Sequence, residues 1–165
     1  MCGVCHCVQR RRSASGSITN THSCGVTRDA TIRWLVSRGV GTGQDWGLPV
    51  AAETYDGDLN DINGFHVAAE HTIAALDGAS GGPVEMGSVG GGTGMLTYDF
   101  KAGNGSASRV VEIGGKRYTV GVFVQSNFGR REDFMVLGVP VGRHIGQGKL
   151  RGKDQGSVIA IVATD

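Results

Sequence analysis

The segment that decides the fold is Gly156-Ser157-Val158-Ile159-Ala160-Ile161-Val162-Ala163-Thr164-Asp165, in which a glycine–serine pair opens the most apolar run of the sequence. The β-branched content and short length of this run favour a buried β-strand over a helix. A Gly-Ser pair by itself fits an ordinary turn, but it also permits a specific reaction. The pair is therefore the first candidate for chemistry in the chain.

That reaction is attack by the Ser157 hydroxyl on the carbonyl carbon of Gly156. Glycine before the serine helps because it tolerates the strained backbone that such an attack needs. The attack forms an ester, and hydrolysis of the ester leaves a serine with an α-amine. Because the pKa of that amine is ~8, it suits a general base for the hydroxyl beside it. One residue would then supply nucleophile and base, without a histidine.

The rest of the chain alternates strands and helices. Upstream of the Gly-Ser pair, residues 109–113 and 116–124 flank Gly114-Gly115, a two-residue hairpin signal, and residues 134–139 form another apolar run of strand length. In the N-terminal half, strand patterns cover residues 17–22 and 50–55. A helical pattern follows each of them, over residues 27–38 and 65–76 respectively. The sequence therefore predicts an α/β fold.

Composition limits the partners. The chain has 165 residues, 29 of them glycine, which fits one globular domain with many tight turns. Lys+Arg number 16 against 15 Asp+Glu, so the charge gives no reason to expect nucleic acid or an anionic membrane as partner. No apolar stretch approaches the ~20 residues that span a bilayer, and no secretory signal is recognisable. We expect a cytoplasmic protein.

The cysteines raise a metal or haem alternative. Three of the four stand near the start, at Cys2, Cys5 and Cys7, and Cys2-Gly3-Val4-Cys5-His6 matches a c-type haem attachment pattern. Haem attachment requires export, however, and a zinc site that also used Cys24 would have spacing too tight for a standard tetrahedral module. We expect neither metal nor cofactor.

Other motifs fail on their details. The acidic loop at 56–61 lacks the glycine and the glutamate that a calcium loop requires, and the glycine run at 90–94 lacks the Gly-Lys-Ser/Thr ending of a phosphate loop. No Gly-x-Ser-x-Gly segment marks a triad serine. His66 and His71 are spaced so that they lie on different faces of the predicted helix, which favours structural roles.

Several segments together carry a resemblance to a known family, and they follow the same order along residues 17–165. The segments are 18–23, 39–46, 49–61, 89–95, 121–129 and 156–165. The chain resembles the D-aminopeptidases and β-peptidyl aminopeptidases, which are self-processing peptidases with an N-terminal serine nucleophile. The match is apparently truncated, because the family continues past Asp165.

The resemblance implies an αββα sandwich of the N-terminal-nucleophile-like D-aminopeptidase type, incomplete at both ends. It implies a precursor that cuts itself at Gly156-Ser157, with Ser157 as nucleophile and its released α-amine as base. Asn127, in Gln125-Ser126-Asn127-Phe128-Gly129, would be the side-chain donor to the oxyanion. Tyr55 would be a second polar contact at the same site.

The resemblance also implies substrates and a division of the chain. The expected reaction removes N-terminal residues, D- or β-amino acids included, from short peptides, amides or esters, and the full-length form is expected to be a homo-oligomer. Residues 1–16 are interpreted as an unrelated or disordered leader, and 17–165 as a partial peptidase domain. Within that domain, 17–156 would be the α-part and 157–165 the start of the β-part.

Two further alternatives remain open at this level. An acyl transferase similar to ornithine acetyltransferase shares the implied architecture and self-cleavage, but that family uses threonine where this chain has Ser157. A catalytically inactive remnant is the other alternative.

Overall fold

The structure, a computed structural model, describes residues 5–8, 15–40, 46–151 and 156–165. They fall into two units, Met1–Gly82 and Pro83–Asp165, each with its own internal contacts.

The first unit is built on a three-stranded sheet of order β1-β2-β3, with β1 at Cys5–Val8, β2 at Ser15–Asn20 and β3 at Val50–Thr54. β1 pairs antiparallel with β2, and β2 pairs parallel with β3. A parallel pair needs a crossover, and helix α1, Cys24–Ser37, supplies it. β1 lies inside the segment interpreted as a leader, and its pairing was not expected from the sequence.

Helix α1 packs against helix α2, Ala69–Asp77. The buried residues of α1 are Thr27, Ala30 and Thr31, which share one face at helical spacing. This face is small and partly polar, and the Thr31 hydroxyl donates to the Thr27 carbonyl at 2.8 Å. The buried face of α1 therefore carries no large apolar side chain.

The C-terminal ends of the two helices are joined through Asp77. Its carboxylate accepts a hydrogen bond from the Trp34 indole at 2.8 Å and pairs with Arg38. The Trp34 hydrogen bond, supported by Arg38, holds the pKa of Asp77 below its ordinary value.

The second unit contains an antiparallel sheet of order β6-β7-β8 and a short hairpin β4-β5. The hairpin strands are β4 at Leu96–Thr97 and β5 at Phe100–Lys101, and the sheet strands are β6 at Asn104–Ile113, β7 at Lys116–Asn127 and β8 at Ser157–Thr164. The turn between β6 and β7 is Gly114-Gly115, and both residues have positive φ, 59° and 74°. This is the geometry that a tight hairpin turn requires, and the hairpin prediction is confirmed.

The buried face of β7 carries Phe123, Gln125 and Asn127 at alternate positions. These residues pair in register with Ile161, Ile159 and Ser157 of β8. Directly opposed residues of an antiparallel pair project to the same face, so Asn127 and Ser157 lie side by side at the end of this row.

The strand predicted over residues 134–139 is wrong. A 3-10 helix at Arg131–Asp133 precedes this segment. Within the segment, Val136 and Val139 exchange two backbone hydrogen bonds of 2.9 Å and so close a tight turn. Leu137 and Gly138 at the tip have φ of 49° and 84°. The turn interrupts the β-branched run, and helix α3, Val141–His144, follows it.

The glycine run at 90–94 forms a 3-10 helix whose backbone lies against that of Gly87. A Cβ at Gly103 would lie 1.8 Å from the Gly87 carbonyl oxygen, and one at Gly92 would lie 2.5 Å from the same atom. Gly92 and Gly103 therefore permit a close approach to the Gly87 backbone that no side chain would allow.

We expect Gly103→Ala to lower the free energy of unfolding by about 1–3 kcal/mol, because the new methyl group collides with backbone that has no room to move. Gly105→Ala is the matched control, since a Cβ there meets nothing within 4 Å. It should leave the free energy of unfolding unchanged or raise it by up to about 1 kcal/mol. Urea denaturation of both variants checks this, and equal stability of the two would contradict it.

Candidate active site

The candidate nucleophile begins β8. Ser157 is half-buried and is the register partner of Asn127, the last residue of β7. Cβ atoms of directly opposed residues in an antiparallel pair lie about 4.5–5.5 Å apart, so the hydroxyl and the amide of these two side chains are neighbours. The structure thus brings together two of the three residues proposed from the sequence.

Gly156 is held in a conformation that only glycine adopts easily. Its φ is 152°, and a Cβ at this position would lie 1.9 Å from the Asn127 carbonyl oxygen and 2.5 Å from the Phe128 Cα. Any side chain would force the two strands apart at this point. The residue before Ser157 must therefore be glycine for β8 to reach Asn127.

Asn127 is buried and its side-chain oxygen is held from two sides. Oδ1 accepts a hydrogen bond from the Leu96 backbone N–H at 3.1 Å and from the Arg151 guanidinium at 2.9 Å. Leu96 is the first residue of β4, and Arg151 lies at the end of the segment that follows α3. The amide is therefore fixed by parts of the chain on both sides of β7.

A buried ion pair supports this arrangement. Arg131 and Asp99 are 4% and 2% exposed in their side chains, with 3.6 Å between guanidinium and carboxylate. The Asp99 carboxylate accepts hydrogen bonds from the backbone N–H groups of Leu150, at 3.1 Å, and Arg151, at 3.2 Å. It therefore fixes the backbone from which the Arg151 side chain reaches Asn127.

Arg131 also binds the backbone of the loop over residues 145–148, which precedes Arg151. The Arg131 guanidinium donates to the carbonyl of Gln147 at 2.8 Å and to those of Ile145 and Gly148 at 3.3 Å, and it also donates to the backbone carbonyl of Asp99. It lies over the Phe100 ring, 3.9 Å from the ring centre, in a cation–π contact.

Aromatic rings fix the segment that follows Asn127. The Tyr98 ring meets Phe128 edge-on at 5.5 Å and Phe134 at 5.4 Å, and the Tyr98 N–H donates to the Phe128 carbonyl at 2.7 Å. A Cβ at Gly129 would lie 2.7 Å from the Tyr98 ring. Residues 127–129 are therefore held by hydrogen bonds to the Asn127 side chain and by contacts of Phe128 and Gly129 with the Tyr98 ring.

Tyr55, the third residue proposed from the sequence, lies in the first unit directly after β3. It is half exposed, and its hydroxyl would be 2.6 Å from a Cβ at Gly57, so the ring covers that glycine. The neighbouring Asp56 is buried and accepts a hydrogen bond from Asn60 at 2.9 Å within the acidic loop at 56–61. The participation of Tyr55 at the site of Ser157 stays a prediction.

Other candidate nucleophiles and ligands have different roles. Burial, with a contribution from Glu53, raises the pKa of the Cys24 thiol, which keeps it in the unreactive protonated form. His71 Nδ1 accepts a hydrogen bond from the Ala68 N–H at the start of α2, and His66 lies 3.4 Å from Asp61 at the surface.

In the described part of the chain no group of three or more His, Cys, Asp or Glu side chains could hold a metal ion. The metal or haem alternative concerns Cys2, Cys5, His6 and Cys7. Cys2 and the side chains of the other three lie outside the part of the chain that the structure describes.

Comparison with known proteins defines the class of the protein. The structure resembles the l-aminopeptidase d-ala-esterase/amidase from Ochrobactrum anthropi, a serine aminopeptidase described as a variant of the Ntn hydrolase fold, with a TM-score of 0.84 and 50% identity over 92% of this chain and 42% of that one. A Burkholderia sp. beta-aminopeptidase matches with a TM-score of 0.76 and 45% identity, over 92% of this chain and 41% of that one. The predicted α/β fold of this type is confirmed.

The family follows from the sequence. Residues 14–165 match the model of peptidase family S58, and the chain belongs to that family. It is 51% identical over 163 residues to the beta-peptidyl aminopeptidase BapA of Sphingosinicella microcystinivorans, over 90% of this chain and 41% of the relative. The chain thus spans about two fifths of the length of that relative. Among the described residues, no helix is long and apolar enough to cross a membrane.

Sequence reasoning missed Asp99, Arg131 and Arg151. Arg131 stands in Gly-Arg-Arg-Glu-Asp, a stretch that has the composition of a polar surface loop. Arg130 does pair with Asp133 at the surface, whereas its neighbour Arg131 is buried. No local pattern distinguishes the two arginines.

We expect Asp99→Asn to lower the free energy of unfolding by about 3–5 kcal/mol, since it leaves the Arg131 charge buried without its partner. It also turns an amide donor toward the N–H groups of Leu150 and Arg151. Asp133→Asn, in the exposed pair with Arg130, is the matched control and should cost about 1 kcal/mol or less. Thermal and urea unfolding of both variants compare the two losses, and similar losses would contradict the importance of the buried pair.

Proposed function

We propose that this chain is part of an N-terminal-serine aminopeptidase that cuts itself between Gly156 and Ser157. In the whole protein, Ser157 would then remove N-terminal residues, D- or β-amino acids included, from short peptides, amides or esters. The observation that carries the proposal is the pairing of Ser157 with buried Asn127 behind a glycine that no other residue can replace. Membership of peptidase family S58 and the names of the relatives support the substrate class.

Self-cleavage begins as an acyl shift. The Ser157 Oγ attacks the carbonyl carbon of Gly156, the bond from that carbon to the Ser157 nitrogen breaks, and the hydroxyl proton passes to that nitrogen. The product is an ester of Gly156 with the Ser157 hydroxyl, together with an α-amine. Water then hydrolyses the ester, which releases Gly156 as a carboxylic acid and returns the hydroxyl to Ser157.

Asn127 fits the role of oxyanion donor in both reactions. Its Oδ1 faces two groups that can only donate, the Leu96 N–H and the Arg151 guanidinium, so the nitrogen must occupy the other arm of the amide. An Nδ2 group beside the Ser157 hydroxyl could donate to the oxygen that becomes negative when the carbonyl is attacked. A donor fixed before the reaction stabilises that charge without the cost of reorganisation.

In the mature enzyme the α-amine of Ser157 would be the base for its own hydroxyl, because its pKa near ~8 lets it accept a proton at neutral pH. The substrate acyl group would be transferred to Oγ and then to water. Tyr55 would be a further polar contact to the substrate. This scheme requires neither a histidine nor a metal ion.

The proposal extends to the organisation of the whole protein. Residues 17–156 would form the α-part and residues from 157 onward the β-part, held together after the cut. A cytoplasmic homo-oligomer is the expected state of the full-length protein.

We expect the purified chain to yield a fragment that begins at Ser157 when intact mass is followed over time. Ser157→Ala should abolish this fragment, because the nucleophile is lost. Ser108→Ala, at an exposed serine of β6, is the matched control and should cut as the wild type does. Cleavage at this bond in Ser157→Ala would exclude the proposed chemistry. Absence of cleavage in the wild type would leave a stalled precursor or an inactive remnant, and the same measurement on the full-length protein would separate the two.

We expect Asn127→Asp to slow fragment formation by ~10²–10³-fold, the usual effect of removing one oxyanion donor. Aspartate has the same shape and keeps an acceptor for Leu96 and Arg151, so the fold should be retained. Intact mass measures the rate, and the melting temperature serves as the control for folding. A variant that folds and cuts at the wild-type rate would remove Asn127 from the mechanism.

A further inference from the structure

We infer that Arg151 is a positioning residue, which sets the direction of the Asn127 amide and so aims its N–H donors at the Gly156-Ser157 bond. The inference rests on the proposed function, because the donor role of Asn127 belongs to it. It adds a residue from outside β7 and β8 that acts on the reaction through another side chain.

The first step is the orientation of the amide. An asparagine side chain can turn over and exchange its oxygen for its nitrogen with little change in shape. The backbone N–H of Leu96 alone favours the oxygen on its side by one neutral hydrogen bond. The Arg151 guanidinium adds a charged donor at 2.9 Å, and hydrogen bonds of this kind are roughly twice as strong as neutral ones.

The second step is polarisation. A cation at the amide oxygen draws electron density from the nitrogen, so that its N–H groups become better donors, and linked hydrogen bonds strengthen one another in this way. Arg151 is partly buried, in a surrounding that screens its charge less than water does. Arg151 would therefore make the Asn127 N–H groups stronger donors and also hold the amide in one orientation.

The third step is what holds Arg151 itself. Its backbone N–H donates to Asp99 at 3.2 Å, and Asp99 is neutralised by Arg131. The path from this ion pair to Ser157 runs through contacts at each stage: the Asp99 carboxylate, the Arg151 backbone and side chain, the Asn127 amide, and the cross-strand neighbour Ser157. Because its backbone is fixed, Arg151 can hold the Asn127 amide in one orientation, although the two residues are 24 positions apart in the chain.

The experiment is a double-mutant cycle between Arg151→Met and Asn127→Ala, with the rate of fragment formation measured by intact mass. Methionine keeps most of the length of arginine but cannot donate. We expect Arg151→Met alone to slow cleavage by about 10–100-fold, the usual effect of removing a supporting hydrogen bond. In the Asn127→Ala background it should cause no further slowing, because the residue through which it acts is gone.

Arg151→Lys should recover much of the rate, since lysine restores a charged donor. Arg143→Met, at an exposed arginine of α3, is the matched control and should cut as the wild type does. Equal slowing by Arg151→Met in both backgrounds would overturn the inference and leave the proposed function intact. Cleavage of the Ser157→Ala chain at the wild-type rate would instead overturn the proposed function.

A second measurement decides the inference without any cleavage. In the Ser157→Ala chain, with asparagine labelled by nitrogen-15, the side-chain amide protons of Asn127 report its order directly. We expect Arg151→Met to accelerate their exchange with solvent or to split their signal into two. An unchanged signal and exchange rate would show that the amide keeps its orientation without Arg151, and would overturn the inference.

Discussion

A charge removed from water must be neutralised where it lies, and the second unit of this protein is organised around that requirement. The Arg131 guanidinium and the Asp99 carboxylate neutralise each other, and their remaining hydrogen bonds go to backbone groups of the loop over residues 145–151. These hydrogen bonds hold a loop that has no strand or helix of its own. The backbone of Arg151, whose side chain binds Asn127, is held by the carboxylate of this pair.

The β7–β8 ladder supplies the other half of the geometry. Strand pairing repeats every two residues, so a slip of one position would turn Ser157 away from Asn127 and expose the buried row behind it. The register is fixed at one end by the contact of Gly156 with the backbone of Asn127 and Phe128. The pairs Phe123–Ile161 and Gln125–Ile159 continue this register along the strand.

Local signals predicted those parts of the molecule that local interactions determine. The Gly114-Gly115 turn and the helices α1 and α2 were predicted, with helix ends that differ by a few residues. Strand β8 was predicted as a buried strand, and its residues are half-buried or exposed instead. The run at 134–139 was assigned to a strand because its β-branched residues outweighed Gly138, and a turn formed there instead.

Of the site, Gly156 and Ser157 were proposed from the chemistry of the Gly-Ser pair, and Asn127 and Tyr55 from resemblance to a family. Asp99, Arg131 and Arg151 did not, because burial of an arginine depends on partners that are distant in the chain. Arg130 and Arg131 illustrate this: they are adjacent and chemically identical, yet one forms a surface pair and the other is enclosed.

The separation of Asn127 and Ser157 along the chain has a consequence for timing. The β6–β7 hairpin closes through a two-residue turn, whereas β8 can join the sheet only after the intervening loop has closed, and pairings between distant segments form slowly. Under the proposed function, the peptide bond before Ser157 becomes reactive only when that last strand is in register. The cut would then occur only in chains in which β8 has paired with β7, and hydrolysis of the ester would make it irreversible.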